Sequence, residues 1–273
     1  ISSKPKWSWN LRPLFAYRHL LGNLVRREFL LNYQQTVLGP VWILFQPILT
    51  LLTYVLVFGK LLSISTGSNL PPVLFYFSGI ILWNFFNDSF AGTSNVFRDN
   101  IHIFTKVYFP RIIMPLSLLV TQLFRLFIQL LLLILLIAYY MLFAGCRREV
   151  SASLLLVPVA VIFTGAISFS MGLIFSVLTA KYRDMANFVL VAIRLLMFIT
   201  PIFYSLSSVH EKLRWVINLN PLTSQFELFR IGLFGAGITS PPHFLYSVLF
   251  TIVSLSAALY LFNKQGSKLI DVV

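Results

Sequence analysis

Six stretches of the chain are apolar over lengths that match the thickness of a membrane. They are Val37–Leu62, Pro72–Phe97, Ile112–Phe143, Ala152–Ala180, Ala186–Val209 and Pro242–Phe262. A helix needs roughly 20 mostly apolar residues to cross a hydrocarbon core about 30 Å thick. Backbone groups in lipid have no water to bond, so a crossing segment satisfies its own hydrogen bonds as a helix. The pattern predicts an all-α, polytopic membrane protein with six transmembrane helices.

The composition excludes most other classes of protein. Hydrophobic residues make up 58% of the chain and charged residues 11%, against roughly 45–50% and about 25% in soluble domains. So few charges cannot cover the apolar surface of a water-soluble fold. A soluble enzyme, a disordered chain and a coiled coil are therefore excluded. The single cysteine, Cys146, rules out an intramolecular disulfide and a cysteine metal cluster, and no metal site is predicted.

The positive charges indicate which way the chain crosses the membrane. The formal net charge is +13, and Lys and Arg collect in cytoplasmic loops. If both termini are cytoplasmic, 13 of the 21 Lys and Arg residues fall on the cytoplasmic side and six fall outside. We therefore expect cytoplasmic termini, and we interpret the excess charge as a membrane signal and not as a nucleic-acid-binding surface.

The segment before the first stretch has one apolar face and several arginines on the others. Between Leu11 and Tyr33, apolar residues such as Leu20 and Leu24 share a helical face. This predicts an N-terminal amphipathic helix in the membrane interface, with Trp7 and Trp9 as headgroup anchors. The alternative is a solvated linker that precedes the membrane.

The segment between the second and third stretches, residues 98–111, is too polar to cross the membrane and too apolar for a solvated linker. Ile101, Phe104 and Tyr108 recur at helical spacing. A short cytoplasmic helix with an apolar face needs a surface that buries it. A partner protein is the first candidate, and packing against the chain's own spans is the alternative.

The segment between the fifth and sixth stretches contains two short pieces separated by Asn220-Pro221. The pieces, Glu211–Leu219 and Leu222–Phe234, are both amphipathic and far shorter than a span. We expect two short re-entrant helices that dip into the outer leaflet, and glycines such as Gly235 end the second one.

Enzymatic chemistry finds little support in the chain. The phosphate-binding loop G-x-x-x-x-G-K-[ST] is absent, so ATP and Mg²⁺ are not expected on this chain by that route, and no cofactor is predicted. The metalloprotease motif H-E-x-x-H is absent too, and no pattern of Ser, His and Asp or of paired carboxylates suggests a catalytic residue. The sequence favours a function other than catalysis.

Three ionisable residues lie within the apolar stretches: Asp88, Arg125 and Arg194. Such residues mark functional sites by default because a lone charge in lipid is costly. At about 1.5 Å per residue, Asp88 and Arg194 lie roughly 13 Å and 12 Å above the cytoplasmic ends of their stretches. We expect these two to pair, which either serves function or only fixes helix packing. Arg125 has no acid at its depth.

Aromatic rings are concentrated in the second stretch, which carries Tyr76, Trp83 and Phe86 among others. One interpretation is that they are lipid-facing anchors near the membrane surfaces. The other is that they line an amphipathic passage, because aromatic faces stack on sugar rings. The residues alone leave both interpretations open.

A series of short motifs runs along the chain in a fixed order. The series begins with Arg26-Arg27-Glu28, Tyr33, Thr36–Trp42 and Gln46-Pro47, continues with Arg98-Asp99-Asn100, Lys106–Arg111 and Pro115-Leu116-Ser117, and ends with Tyr182-Arg183-Asp184, Thr200–Tyr204, Asn220-Pro221-Leu222, Glu227 and Arg230. Together they resemble the ABC-2 type permeases that export polysaccharides and polyol phosphates. The resemblance covers nearly the whole chain; Gln46 stands where the family often has Asn, and Thr200 where Ser is common.

The resemblance implies an assembly and a cargo. The assembly is a homodimer of six-span subunits with two copies of a separate nucleotide-binding ATPase subunit in the inner (cytoplasmic) membrane of a bacterium. The cargo is a lipid-linked polymer such as O-antigen, capsule or teichoic acid. The chain then divides into a cytoplasmic and interfacial segment (1–36), a six-span domain (37–263) with its coupling loop (98–111) and gate helices (210–235), and a cytoplasmic tail (264–273).

The resemblance also implies three groups of site residues. Contacts with the ATPase are assigned to Arg26, Arg27, Asp99, Ile101, Phe104, Lys106 and Tyr108. The translocation path is assigned to Tyr76, Trp83, Phe86, Asp88 and Arg194, and the gate to Trp215, Asn220, Pro221 and Phe226.

Two other functions remain as alternatives. The first is an ABC-2 permease for a small lipid or drug, whose relatives usually carry a large external domain or a different first loop. The second is a membrane-embedded glycosyl- or acyltransferase. That enzyme needs a base near a membrane face, and none of the four histidines has an acid partner nearby in sequence.

Overall fold

The computed structural model describes residues 16–62, 70–100, 103, 109–143, 152–182 and 184–269. Every regular element in these ranges is helical. The α-helices are α1 (Arg18–Tyr33), α2 (Trp42–Tyr54), α3 (Pro72–Ser94), α4 (Val96–Asp99), α5 (Ile113–Phe143), α6 (Leu156–Lys181), α7 (Met185–Ile199), α8 (Glu211–Asn218), α9 (Pro221–Phe234) and α10 (Pro241–Leu269). A helical turn at Gly39–Val41 leads into α2, which continues as a π-helical turn over Val55–Leu61. This confirms the predicted all-α class.

Four helical segments within the described ranges are long and apolar enough to cross a membrane. They are Gly39–Leu61, Ile113–Phe143, Ser153–Lys181 and Pro241–Lys264. They coincide with the first, third, fourth and sixth predicted stretches. The second stretch forms α3, which has 23 residues but carries polar side chains, and the fifth forms α7, which has only 15. The chain is therefore a polytopic helical membrane protein, and the count of six spans depends on α3 and α7.

The central helix of the bundle is α3, which contacts α2, α5, α6, α7 and α9. A helix surrounded in this way has no lipid-facing side, so it needs no amphipathic pattern. Its side chains are accordingly buried on every face, with Tyr76 0%, Trp83 6% and Phe86 1% exposed. The interpretation of these three rings as lipid-facing anchors is wrong, because they pack inside the subunit. A place in the translocation path would require the helices around α3 to move apart, and that role stays a prediction.

Close approach of α3 and α6 depends on small residues. A Cβ atom added at Gly172 of α6 would lie 2.5 Å from the Thr93 Cβ of α3 and 3.3 Å from the Phe90 carbonyl oxygen. Two turns further along α6, the Thr179 hydroxyl donates a hydrogen bond to the Ser94 carbonyl. Small residues let helix backbones approach in membranes, where packing and hydrogen bonds drive association.

A second apolar cluster joins α1 to α4, just beyond the C-terminal end of α3. Leu24 of α1 packs there with Val96 and Phe97 of α4, beside residues of α5, α6 and α10. Arg26 and Arg27 lie on the exposed side of α1. A helix is confirmed over Arg18–Tyr33, and its place in the membrane interface stays a prediction. Trp7 and Trp9 lie outside the described residues. Its apolar face packs against the protein's own helices.

The two short helices predicted around Asn220-Pro221 are present as α8 and α9. The Asn220 side chain accepts a hydrogen bond from the Leu222 amide, and Pro221 occupies the first helical position, where no amide hydrogen bond is needed. Gly235, at φ +65°, ends α9 in the left-handed conformation. One expectation is wrong: α9 is not amphipathic, because it is buried between α3, α6 and α10.

Replacing Gly172 by Ala should destabilise the protein by about 1–3 kcal/mol, because the new methyl group overpacks the contact with Thr93. Gly22→Ala in α1 is the matched control, since nothing lies within 4 Å of its added Cβ. There the gain in helix propensity, about 0.5–1 kcal/mol, should be retained. Thermal unfolding of both variants in detergent measures the difference, and equal melting temperatures would contradict the close contact.

Candidate functional site

A polar cavity of about 280 Å³ lies between the C-terminal end of α1, the start of α2 and the middle parts of α3 and α5. It is lined by Asn32, Tyr33, Trp42, Ile43, Gln46, Pro47, Asn84, Asn87, Asp88, Arg125 and Gln129. Most of these side chains are amides or charged groups, although the surrounding helices are strongly apolar. A polar cavity inside an apolar helix bundle is a candidate functional site.

An ion pair between Asp88 and Arg125 forms one wall of the cavity. The Arg125 Nη1 atom lies 3.6 Å from the Asp88 Oδ2 atom, and the Asn87 amide donates a 2.8 Å hydrogen bond to Asp88 Oδ1. Arg125 also donates to Gln122 Oε1 at 3.2 Å, and its guanidinium carbon lies 5.2 Å from the centre of the Tyr33 ring. The carboxylate and the guanidinium thus neutralise each other at the cavity wall, where their side chains are 40% and 19% exposed.

The predicted pairing of Asp88 with Arg194 is wrong. The buried residues of α7 are Ala186, Val189 and Ile193, and α7 packs against α3. Arg194 follows Ile193 by one residue, a rotation of about 100° around the helix, and its side chain is exposed. The expectation that Arg125 has no acid at its depth is wrong as well, because Asp88 is that acid. An estimate of depth from the rise per residue does not say which way a side chain points around its helix.

A second ion pair, between Glu227 and Arg230 of α9, is almost completely buried. The two groups lie 3.3 Å apart and each side chain is 2% exposed. Arg230 also donates to the Ile202 carbonyl at 3.1 Å and lies 3.8 Å over the Phe75 ring, while Glu227 accepts from the Ile238 amide at 2.8 Å. The pair therefore ties α9 to α3 and to the two segments that flank the short helices.

The sequence signal for this second pair was available but was not used. Glu227 and Arg230 are three residues apart, which places them on one face of a helix. Arg230 is one of the six charges that the topology predicts outside the membrane, because it lies between two apolar stretches, whereas the structure buries it inside the subunit. A glutamate and an arginine at this spacing inside a short apolar helix indicate a buried pair. Gly79 provides the space, because an added Cβ would lie 3.2 Å from Arg230 Nη2.

The predicted gate residues occupy three different environments. Trp215 on α8 is 64% exposed, Asn220 lies at the junction of α8 with α9, beside Pro221, and Phe226 is 1% exposed in the core. The Asn220 amide donates to the Thr200 hydroxyl at 2.9 Å, which links the junction to the end of α7. A separate pocket of about 160 Å³ lies beside α8 and α9. The gate role of these residues stays a prediction.

The predicted ATPase contacts are only partly described. Ile101, Phe104, Lys106 and Tyr108 lie outside the described residues. Asp99 pairs with Arg98 at 3.0 Å, and its side chain is 54% exposed. Its charge also reaches α1: burial raises the pKa of Glu28, Arg27 opposes that rise and Asp99 adds to it. The start of the 98–111 segment therefore lies beside α1.

The long apolar helices enclose charged pairs and a polar cavity. This arrangement is typical of membrane proteins whose function depends on polar groups inside the bilayer. The chain belongs to the ABC-2 type transporter family, whose model matches residues 19–234. This confirms the resemblance drawn from the motifs, and it places the chain among transport subunits.

Three relatives resemble the chain along most of its length. One is the O-antigen export system permease protein RfbA of Myxococcus xanthus, 30% identical over 218 residues that cover 78% of this chain and 80% of that protein. Two are proteins of the same name from Klebsiella pneumoniae. They are 27% and 26% identical over 272 residues that cover 98% of this chain and 99% of each relative.

Asp88→Ala and Arg125→Ala should be energetically coupled. Contacting residues typically show interaction energies of about 0.5–3 kcal/mol, whereas distant ones add to within about 0.5 kcal/mol. The losses of unfolding free energy in detergent should therefore be non-additive when Asp88→Ala is combined with Arg125→Ala. They should be additive when Asp88→Ala is combined with Arg194→Ala. Coupling of Asp88 to Arg194, and not to Arg125, would contradict the observed pairing.

Glu227→Gln should lower the free energy of unfolding by about 3–5 kcal/mol, because it leaves the Arg230 charge buried without its counter-ion. Glutamine keeps an oxygen for the Ile238 amide, so the loss reports the charge. Glu211→Gln on the exposed face of α8 is the matched control and should change little. Equal stabilities of the two variants would show that the buried pair contributes nothing.

Proposed function

We propose that this chain is the permease subunit of an ATP-binding cassette exporter that moves a lipid-linked cell-surface polysaccharide across the cytoplasmic membrane of a bacterium. The observation that carries the proposal is the similarity to O-antigen export permeases over 98% of this chain and 99% of those relatives. The two alternatives, a permease for a small lipid or drug and a membrane-embedded transferase, are not favoured by these relatives.

All six helical stretches cross the membrane in this proposal. At about 1.5 Å per residue, the 23 residues of α3 extend roughly 35 Å, which exceeds a core of about 30 Å. The polar residues of α3 are tolerated because they face other helices and the cavity, and not lipid. The 15 residues of α7 reach only about 22 Å, so the buried Thr200–Ser205 segment completes that crossing. The excess of positive charge supports cytoplasmic termini.

Energy for transport comes from a separate ATPase subunit, present in two copies beneath a homodimer of this chain. The absence of a phosphate-binding loop from the sequence supports a separate motor. Residues 98–111 and the exposed face of α1, including Arg26 and Arg27, form the ATPase contact. The lipid-linked polymer passes between the two subunits of the homodimer.

Movement of the ATPase reaches the membrane through the apolar cluster around Leu24, Val96 and Phe97. This cluster joins α1 and α4 to α5, α6 and α10, so a push on residues 98–111 moves packed helices together. Packed interiors transmit displacement because they have few voids. The spans rearrange and open a path between the subunits, and α8 and α9 flank its exit.

Deleting the gene for this chain, with polymer synthesis intact, should remove the polymer from the cell surface and leave its lipid-linked form inside. Labelling of intact cells and of opened spheroplasts measures the two pools. The same chain, tagged and expressed from a plasmid, should restore export and co-purify with an ATP-hydrolysing subunit. Unchanged surface polymer would overturn the proposal, and loss of a small lipid alone would favour the first alternative.

A further inference from the structure

We infer that the cavity between α1, α2, α3 and α5 is a binding site for an uncharged saccharide segment of the transported polymer, one in each subunit. The inference rests on the proposed function and assigns it a site. The inference depends on the lining of this cavity, which is polar, has no net charge and includes the aromatic residues Tyr33 and Trp42. Such a lining is unusual in a bundle of apolar helices.

The charge of the cavity selects against an anion. Its two charged groups, Asp88 and Arg125, pair with each other at 3.6 Å, so the lining has no net charge. A phosphate that approached Arg125 would also meet the Asp88 carboxylate, and like charges repel at this distance. A ligand with hydroxyl groups avoids that repulsion, because a hydroxyl both donates and accepts hydrogen bonds.

The amides of the cavity suit a polyhydroxylated ligand. An amide side chain offers two donors and an acceptor in one plane, which matches neighbouring hydroxyl groups on a sugar ring. Gln129 already donates to the Ile43 carbonyl at 3.2 Å. Gln46 and Asn84 also line the cavity, and within the described part of the chain their side-chain amides make no hydrogen bond. These two amides, and the buried Arg125 Nε atom that has no hydrogen-bond partner in the same part, are available to a ligand.

The aromatic residues at the cavity fit the apolar face of a sugar. Trp42 is 39% exposed and lies at the start of α2, and Tyr33 lies at the end of α1. Aromatic faces carry partial negative charge, and the C–H groups on one face of a sugar ring carry partial positive charge. Arg125 already covers one face of Tyr33. Trp42 meets the Phe45 ring at 5.5 Å in an edge contact, which leaves a face of this partly exposed indole for stacking.

The size and polarity of the cavity argue against an apolar cargo. Its volume of about 280 Å³ is close to the lower end of the roughly 300–1,000 Å³ of small-molecule sites. Sites for drug-like ligands are lined mainly by hydrophobic residues, and this one is not. The cavity therefore suits a short saccharide segment, while the rest of a long polymer stays outside it.

Cysteine protection tests the site on the purified full-length chain in lipid nanodiscs. In a Cys146→Ser background, Gln46→Cys places a thiol at the cavity wall, and Asn218→Cys places one in the separate pocket beside α8. The probe is the neutral oligosaccharide released by mild acid from the surface polymer of the same bacterium. We expect it to slow maleimide labelling at position 46 and to leave labelling at position 218 unchanged.

Asn84→Leu should raise the oligosaccharide concentration needed for protection about fivefold. The apolar side chain cannot replace the hydrogen bond of the amide, and the roughly 1 kcal/mol of a net hydrogen bond corresponds to that factor. Asn95→Leu, on the same chain segment outside the cavity, is the matched control. A measurement that needs no cysteine guards against misfolding: the oligosaccharide should change the tryptophan fluorescence of the unsubstituted chain, and Trp42→Phe should remove that change.

Two results would overturn the inference. Protection by inorganic pyrophosphate, and not by the oligosaccharide, would make the cavity an anion site. No protection and no fluorescence change, in a chain that restores export to deleted cells, would show that the polymer passes elsewhere. The export measurement thus separates failure of this site from failure of the proposed function, which shows itself as unchanged surface polymer after deletion.

Discussion

The enclosure of α3 by five other helices is the constraint on which the rest of the structure depends. With no lipid-facing side, α3 can carry polar and charged residues at membrane depth, provided that neighbouring helices supply their partners. α5 supplies Arg125 for Asp88, and α9 supplies the pair of Glu227 and Arg230, which packs against the N-terminal part of α3. The same enclosure requires small residues such as Gly172 where α6 crosses. Polar chemistry inside the bundle and tight packing around it therefore have one origin.

Much of the fold could be predicted from the sequence because lipid imposes strong, local rules. Apolar length located the ends of the four long apolar spans to within two residues. Asn220-Pro221 located the boundary between α8 and α9 because both residues have a defined place at a helix start. The order of short motifs identified the family.

What the sequence did not predict was how the helices face one another. Periodicity is informative only when one side of a helix differs from the other, and α3 is buried on all sides, so its rings gave no direction. Asp88 was matched with Arg194 by depth alone, although the rotation of α7 turns Arg194 outward. Asn84 and Gln46 line the same cavity because of the way α2 and α3 pack against each other. Neither segment, taken alone, indicates that packing.

The neutrality of the Asp88–Arg125 pair has an electrical consequence. Moving one elementary charge across a membrane changes its energy by about 2.3 kcal/mol per 100 mV, but a carboxylate and a guanidinium that move together transfer no net charge. A movement of α3 and α5 that keeps this pair together therefore transfers no net charge at this site. The membrane potential neither favours nor opposes such a movement through these two residues.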